Sequence, residues 1–173
     1  MSKSNIITTN HQRTYTGKYI DVFNPDPDAI SIQDIAHALS LTCRWAGHLK
    51  DFYSVAQHSV LVCEHVSCFA PENKLQALLH DASEAYINDI PSPAKKRLPD
   101  YKSLEDNLML VIAHKFGFEF PLSQATIEAD RYLLSCEWHS LVENDVNDII
   151  PLSPKDAECL FLQSYFELTN KLY

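Results

Sequence analysis

Chain breakers are few in this sequence, and they come in groups. Only 3 glycines occur in 173 residues, and most of the 9 prolines fall in short sets: Pro25 with Pro27, Pro91 with Pro93 and Pro99, Pro151 with Pro154. Glycine and proline punctuate regular structure, so the stretches between these sets are free to be long, and their apolar residues recur at helical spacing. Ser31 with Asp34 resembles a capping box, and Ile32, Ile35, Ala36 and Leu39 follow in register, predicting a helix from 32 to 41 or 45 that stops at Gly47. Further helices are expected from Ser54 to about 69, from Pro71 to about 88, over 101–116 with Gly117 as stop, and over 123–144. A last one follows Ser153, with Ala157, Leu160, Phe161 and Tyr165 facing inward. Ahead of them, Tyr15, Tyr19, Ile20 and Val22 suggest a short β-hairpin over 13–22 that turns near Gly17. The expected fold class is all-α, a helical bundle with a short N-terminal hairpin. Residues 1–12 are read as a flexible segment and 13–173 as one domain, which a chain of this length and 46% hydrophobic content can support.

Charge narrows the partners. Lys and Arg number 14 against 23 Asp and Glu, a net charge of -9 that repels nucleic-acid phosphates and argues against a stable nucleic-acid complex. The cysteines, Cys43, Cys63, Cys68, Cys136 and Cys159, are odd in number and form no Cys-x-x-Cys pair, so they read as reduced core residues. With no stretch of membrane-spanning length and no signal-peptide core after Met1, the expectation is a cytoplasmic protein without membrane association.

Chemistry concentrates at His80-Asp81, at the end of an apolar run containing Leu75, Ala77, Leu78, Leu79, Ala82 and Ala85. An unpartnered carboxylate in core material is heavily penalised, and a divalent cation shared with the adjacent imidazole would compensate it. His58 shares a helical face with Val55, Leu61, Val62 and Val66; taken alone, such a residue is more often a satisfied core histidine than a ligand. Asp130 falls on a stripe with Ile127, Leu134 and Leu141, and Arg131 beside it points about 100° away, so a second inward carboxylate needs a partner. His58, His80, Asp81 and Asp130 together supply two nitrogens and two carboxylates, suited to Co, Mn, Zn, Fe or Mg. Glu84, four residues after His80, overlies the same patch and suits proton transfer, although a solvated surface glutamate is the ordinary reading. Asp89 either caps local backbone or reaches a substrate hydroxyl. Lys95, Lys96, Arg97 and Lys102 make the densest basic patch, which is either a solvated face or charge for phosphates. His37, His48, His65, His114 and His139 form no comparable set, and Cys63-Glu64-His65 with Cys68 is no zinc motif.

The order His58, His80-Asp81, Asp130 resembles the H...HD...D signature of HD-domain phosphohydrolases. The stretch His80-Asp81-Ala82-Ser83-Glu84 followed by Asp89-Ile90-Pro91 is similar to the small nucleotide-cleaving members: bacterial 5'-deoxynucleotidases, prophage YfdR-like proteins and phage deoxynucleoside triphosphate triphosphohydrolases of the DatZ type. Arg44-Trp45-Ala46-Gly47-His48 and Tyr53 to Ser59 extend the likeness, which spans about Tyr15 to Asp130. The resemblance implies an HD fold with one divalent metal on His58, His80, Asp81 and Asp130. It gives Glu84 a role in proton transfer, sets Asp89 beside the sugar and the attacking water, and gives Arg44 and Trp45 contacts to phosphate and sugar, the ring helping to exclude a 2'-hydroxyl. It also implies a homo-oligomer. The function expected is cleavage of the 5'-phosphoester of 2'-deoxynucleotides. The triphosphate reading, deoxynucleoside plus triphosphate, is slightly favoured on the basic patch, with Lys95, Lys96 and Lys102 as substrate contacts. The alternatives are a 5'-deoxynucleotidase acting on monophosphates, a non-catalytic nucleotide-binding module and a structural metal protein.

Overall fold

A computed structural model describes residues 11–145 and 148–170. It is mostly helical, with a small antiparallel hairpin near the N-terminus. Of the segment 1–12 read as flexible, residues 1–10 lie outside the described residues. His11 and Gln12 belong to strand β1 (His11–Arg13), and Gln12 Nε2 donates to the Tyr86 carbonyl at 3.0 Å. β1 pairs with β2 (Tyr19–Asp21), Gln12 opposite Ile20, around a turn in which Gly17 takes φ +89°. The hairpin is tied down by Asp34, which is buried and accepts from Thr16 N at 2.6 Å, Thr16 Oγ1 at 2.8 Å and Ser31 Oγ at 2.6 Å.

Helix α1 (Ile32–Leu41) opens on that Ser31–Asp34 pair, as expected, with Ser31 Oγ accepting from Asp34 N at 3.1 Å. It ends at Leu41 and does not reach Trp45. Thr42 is extended, Val55 N donates to Thr42 O and Arg44 N to Tyr53 O, so the chain doubles back before another helical turn can form. Arg44–Gly47 is instead a separate turn in which Trp45 (φ 57°) and Ala46 (φ 51°) are left-handed.

Helix α2 (Val55–Ser67), capped by Ser54 Oγ accepting from Gln57 N, is the central element: α1 and three later helices pack directly on it. The helix expected over 71–88 is broken. A 3-10 turn (Pro71–Asn73) leads into α3 (Lys74–Leu78); residues 79–83 are tight turns, and α4 (Glu84–Ile87) resumes. In an unbroken helix the Ala77 carbonyl accepts from the Asp81 amide; here His80 Nδ1 donates to it at 2.8 Å. A side chain has taken the place of the backbone ladder at His80-Asp81.

A short α5 (Ser92–Lys95), not expected beside so many prolines, precedes α6 (Pro99–Phe116), which closes on left-handed Gly117. α7 (Gln124–Glu137) is shorter than expected and runs into a π-helical turn, Trp138–Val142. Its buried residues are Thr126, Ala129, Leu133 and Glu137, while Leu134 is exposed, so the stripe Ile127-Asp130-Leu134 read as inward lies at the edge of the core. α8 (Pro154–Thr169) buries Ala157, Phe161 and Tyr165, with Leu160 half-buried. α2 touches α3, α7 and α8 directly. Two buried glutamines fix the connections. Gln76 donates to Glu119 O and accepts from Ser123 N and Thr126 Oγ1, setting the start of α7; Gln57 donates to Ile150 O and accepts from Leu152 N ahead of α8. All five cysteines are free, but only Cys63 is buried, so the core reading fails for Cys68 and Cys159, which are exposed. Among the described residues no helix is long and apolar enough to cross a membrane.

Candidate metal centre and cleft

His58 reaches the site from the first turn of α2 and has no exposed surface, as helical spacing among valines requires. His80 and Asp81 come from the broken turn after α3, and Asp130 from α7. His58, His80 and Asp130 each offer one donor atom within 4.8 Å of the others, a group that could hold a metal ion. Asp81 approaches the same point: its Oδ2 lies 3.2 Å from His80 Nε2 and 3.9 Å from His58 Nε2. Asp130 Oδ1 lies 3.1 and 3.8 Å from these two nitrogens.

The opposite ring nitrogens decide what this group can do. His58 Nδ1 donates to Glu137 Oε1 at 2.5 Å, and His80 Nδ1 donates to Ala77 O at 2.8 Å. Each ring then turns its Nε2 toward carboxylate oxygens, an arrangement that calls for positive charge between them, a proton on nitrogen or a cation; His80 Nε2 is buried without a hydrogen-bond partner. Electrostatics give the same answer. Burial pulls the His80 imidazole down, yet Asp81, Asp130 and the Ala77 carbonyl together push it up to about 9. Against the cost of burial, His80, His58 and Arg44 hold the Asp81 carboxyl well below the usual range, and His58 and His80 lower Asp130. The site draws in positive charge, and the residues fit a divalent cation of the borderline type.

Glu137 was not singled out in the sequence. It is fully buried, and besides His58 it accepts from Tyr53 Oη at 2.9 Å and from Arg44 Nη2 and Nε at 2.9 and 3.2 Å. Burial works against its ionisation, but His58, Arg44 and Tyr53 hold it below the usual carboxylate range. Its position seven residues after Asp130, two helical turns along, was the available signal. Arg44 is therefore occupied: most of its fork grips Glu137, and Nη1 lies 3.7 Å from Asp81.

A cleft of about 880 Å³ opens over Asp81 and Asp130. Arg44, Trp45, Glu84, Asp89 and Lys95 line it. Glu84 is buried, 4% exposed, which overturns the surface-glutamate reading; its Oε2 has no hydrogen-bond partner. Burial first, then Asp81 and Asp89, push its carboxyl well above the ordinary range against Lys95 and Arg44. Burial also raises Asp89, with Arg44 opposing.

No family model matches the chain. Uncharacterized protein YfdR of Escherichia coli is 38% identical over 172 residues, covering 91% of this chain and 95% of its own length. The chain belongs to the YfdR family. A second relative, an uncharacterized protein of Rhodobacter capsulatus, is 38% identical over 133 residues, 69% of this chain and 66% of its own.

In this YfdR-family chain the lysines do not gather as the sequence suggested. Only Lys95 lines the cleft, and it is neutralised: Nζ lies 2.7 Å from Glu105 Oε1 and 3.4 Å from Glu84 Oε1. Lys102 is exposed, pairs with Asp106 and lines a neighbouring cavity of about 470 Å³. Lys96 is exposed and lines neither. The patch disperses because α5 and α6 turn successive basic residues to different sides. Arg131, by contrast, is on the cleft wall and has no ion-pair partner among the described residues.

Proposed function

We propose that the chain is a metal-dependent phosphohydrolase of the HD-domain type that cleaves the 5'-phosphoester of 2'-deoxynucleotides. The observation that carries the reading is the joint commitment of the two imidazoles. Glu137 and the Ala77 carbonyl hold both Nδ1 protons, leaving two Nε2 atoms beside Asp130 and Asp81, which line a cleft that also holds the buried Glu84 carboxyl, raised well above its ordinary range. His58, His80, Asp130 and Asp81 would hold the cation, which when bound supplies Lewis-acid polarisation of a phosphoryl oxygen and activation of water.

The remaining chemistry belongs to the chain's own residues. A water oxygen forms the new bond to phosphorus as the P–O5' bond breaks. Glu84, kept protonated by its burial, gives its proton to the departing 5'-oxygen. Asp89, whose raised carboxyl is a stronger base than a solvated one, takes the proton released by the attacking water. Trp45 forms the wall against which a 2'-hydroxyl would clash, following the resemblance of Arg44-Trp45 to the deoxynucleotidases.

Monophosphates are the better substrate reading. The triphosphate preference rested on a basic patch, and Lys95 and Lys102 are each paired with acids while Lys96 faces away. A two-charge phosphate needs less compensation than a polyphosphate tail. The test is a panel of ribo- and deoxynucleoside mono- and triphosphates with Mg, Mn or Co, resolved by chromatography. The expected products are deoxynucleoside and inorganic phosphate, formed only with metal. Release of intact triphosphate would restore the triphosphohydrolase reading. Nucleotide binding without product under every metal would leave a non-catalytic module and overturn the hydrolase.

A further inference from the structure

Both tryptophans of the chain stand on the cleft. Trp45 and Trp138 have ring centroids 5.6 Å apart with planes inclined by 50°, so they form an open corner and not a filled stack. Trp138 is 43% exposed and Leu134 41%, an unusual outlay of apolar surface beside charged groups. Arg131, Leu134 and Ser135 of α7 and Trp138 at the start of the π-helical turn are spaced i, i+3, i+4 and i+7 and together line this wall. Ile90, Pro91 and Pro93 also line the cleft.

Two backbone features present these rings. Trp45 and Ala46 are consecutive non-glycine residues in the left-handed region, which costs about 1–2 kcal/mol each. Trp138 begins the π-helical turn, a rare conformation that re-aims the side chains at the end of a helix. Strain held at a cleft wall points to use of that wall. The cleft lining thus combines acids, Arg44, Lys95 and Arg131 with aromatic and apolar surface. Such a lining matches a ligand with one anionic group and one flat heteroaromatic group.

We infer that Trp138 is a stacking platform for the nucleobase, with Trp45 closing the corner, and that the platform favours purines over pyrimidines. This rests on the nucleotide reading of the same cleft. The preference follows from area, because a bicyclic base covers more of an indole face than a monocyclic one, and base-to-aromatic stacking contributes about 1–3 kcal/mol.

Because the chain has only these two tryptophans, fluorescence reports on the corner alone. W45F leaves Trp138 as the sole reporter, and free nucleosides carry no phosphate to engage the metal centre. Deoxyadenosine and deoxyguanosine are expected to quench W45F, half-saturating at least about threefold below thymidine and deoxycytidine. In W138F, shown folded by circular dichroism, half-saturation by purines is expected to rise about tenfold. Absence of quenching by any nucleoside, or equal response to purines and pyrimidines, would overturn the platform even if metal-dependent phosphate release is intact. Quenching with no phosphate release from any nucleotide would uphold the platform and overturn the hydrolase.

Discussion

Glu137 Oε1 lies 2.5 Å from His58 Nδ1, with both side chains wholly buried. This contact fixes which nitrogen of His58 faces Asp130, and with it the donor atom that His58 offers to the group that could hold a cation. It also joins the metal group to Arg44 and Tyr53, making the floor of the cleft one charged network.

Removing Glu137 should therefore damage two properties at once. E137A leaves Arg44 and His58 buried without their acid, and a loss of about 3–5 kcal/mol is expected in denaturant melts. E137Q can still accept from His58 Nδ1, so it should fold while binding Co or Mn about 10–100-fold more weakly by calorimetry. Unchanged metal affinity in a folded E137Q would mean that the contact does not orient the ligand.

Glu84 gives a prediction in pH. Its carboxyl is raised well above 4.5 by burial, so it keeps its proton to a higher pH than an ordinary glutamate, and turnover should fall as pH climbs through that raised value. E84Q cannot donate a proton and should lose about 100-fold or more in kcat with metal content unaltered. The sign for stability is the reverse of the catalytic benefit. A raised folded value means that the native state holds the proton longer than the unfolded chain, so stability declines above pH 4.5, the ordinary glutamate value. E84Q should accordingly melt above the parent in alkaline buffer, and loss of metal in E84Q would show that Glu84 is a ligand.

Asp34 behaves oppositely. Burial opposes its ionisation, but the hydrogen bonds from Ser31 and Thr16 lower its carboxyl below 3.8. Its contribution is then fully present above that value and lost as pH falls toward the lowered folded one. D34N should cost about 2 kcal/mol at neutral pH. The gap in Tm between parent and D34N should close as pH drops through about 4; a gap independent of pH would refute the ionic origin.

Ala46 allows a test of the strained turn. Its φ of 51° suits glycine, and A46G should relieve about 1 kcal/mol of strain, partly offset by the extra freedom of the unfolded chain. A small rise in Tm is expected. A fall in Tm would show that the alanine methyl contributes packing greater than the strain.

Residues close in sequence and set by local rules were legible without tertiary structure. Ser31 with Asp34, Ser54, Gly117 and Ser153 mark helix ends because a cap depends on atoms within a few residues. The inward aim of His58 followed from the valines sharing its face, and the hairpin turned at Gly17 because that position needs positive φ. The pairing of His80 with Asp81 was written in the chain as an acid at the end of an apolar run. What no local rule contained was competition between distant groups. The Ala77 carbonyl went to an imidazole and not to the helix ladder, and Trp45 left the helix because Thr42 and Arg44 pair with Val55 and Tyr53. Glu137 read as an ordinary helical glutamate until α2 and the Arg44 turn converged on it. The lysines read as a patch until Glu84, Glu105 and Asp106 were found to neutralise two of them. Sequence thus named His58, His80 and Asp130, which the fold brings together in a group that could hold a cation. Only the tertiary structure decided their surroundings and their free valences, because both depend on burial and on charges brought together across 93 residues of chain between Arg44 and Glu137 and across 79 between His58 and Glu137.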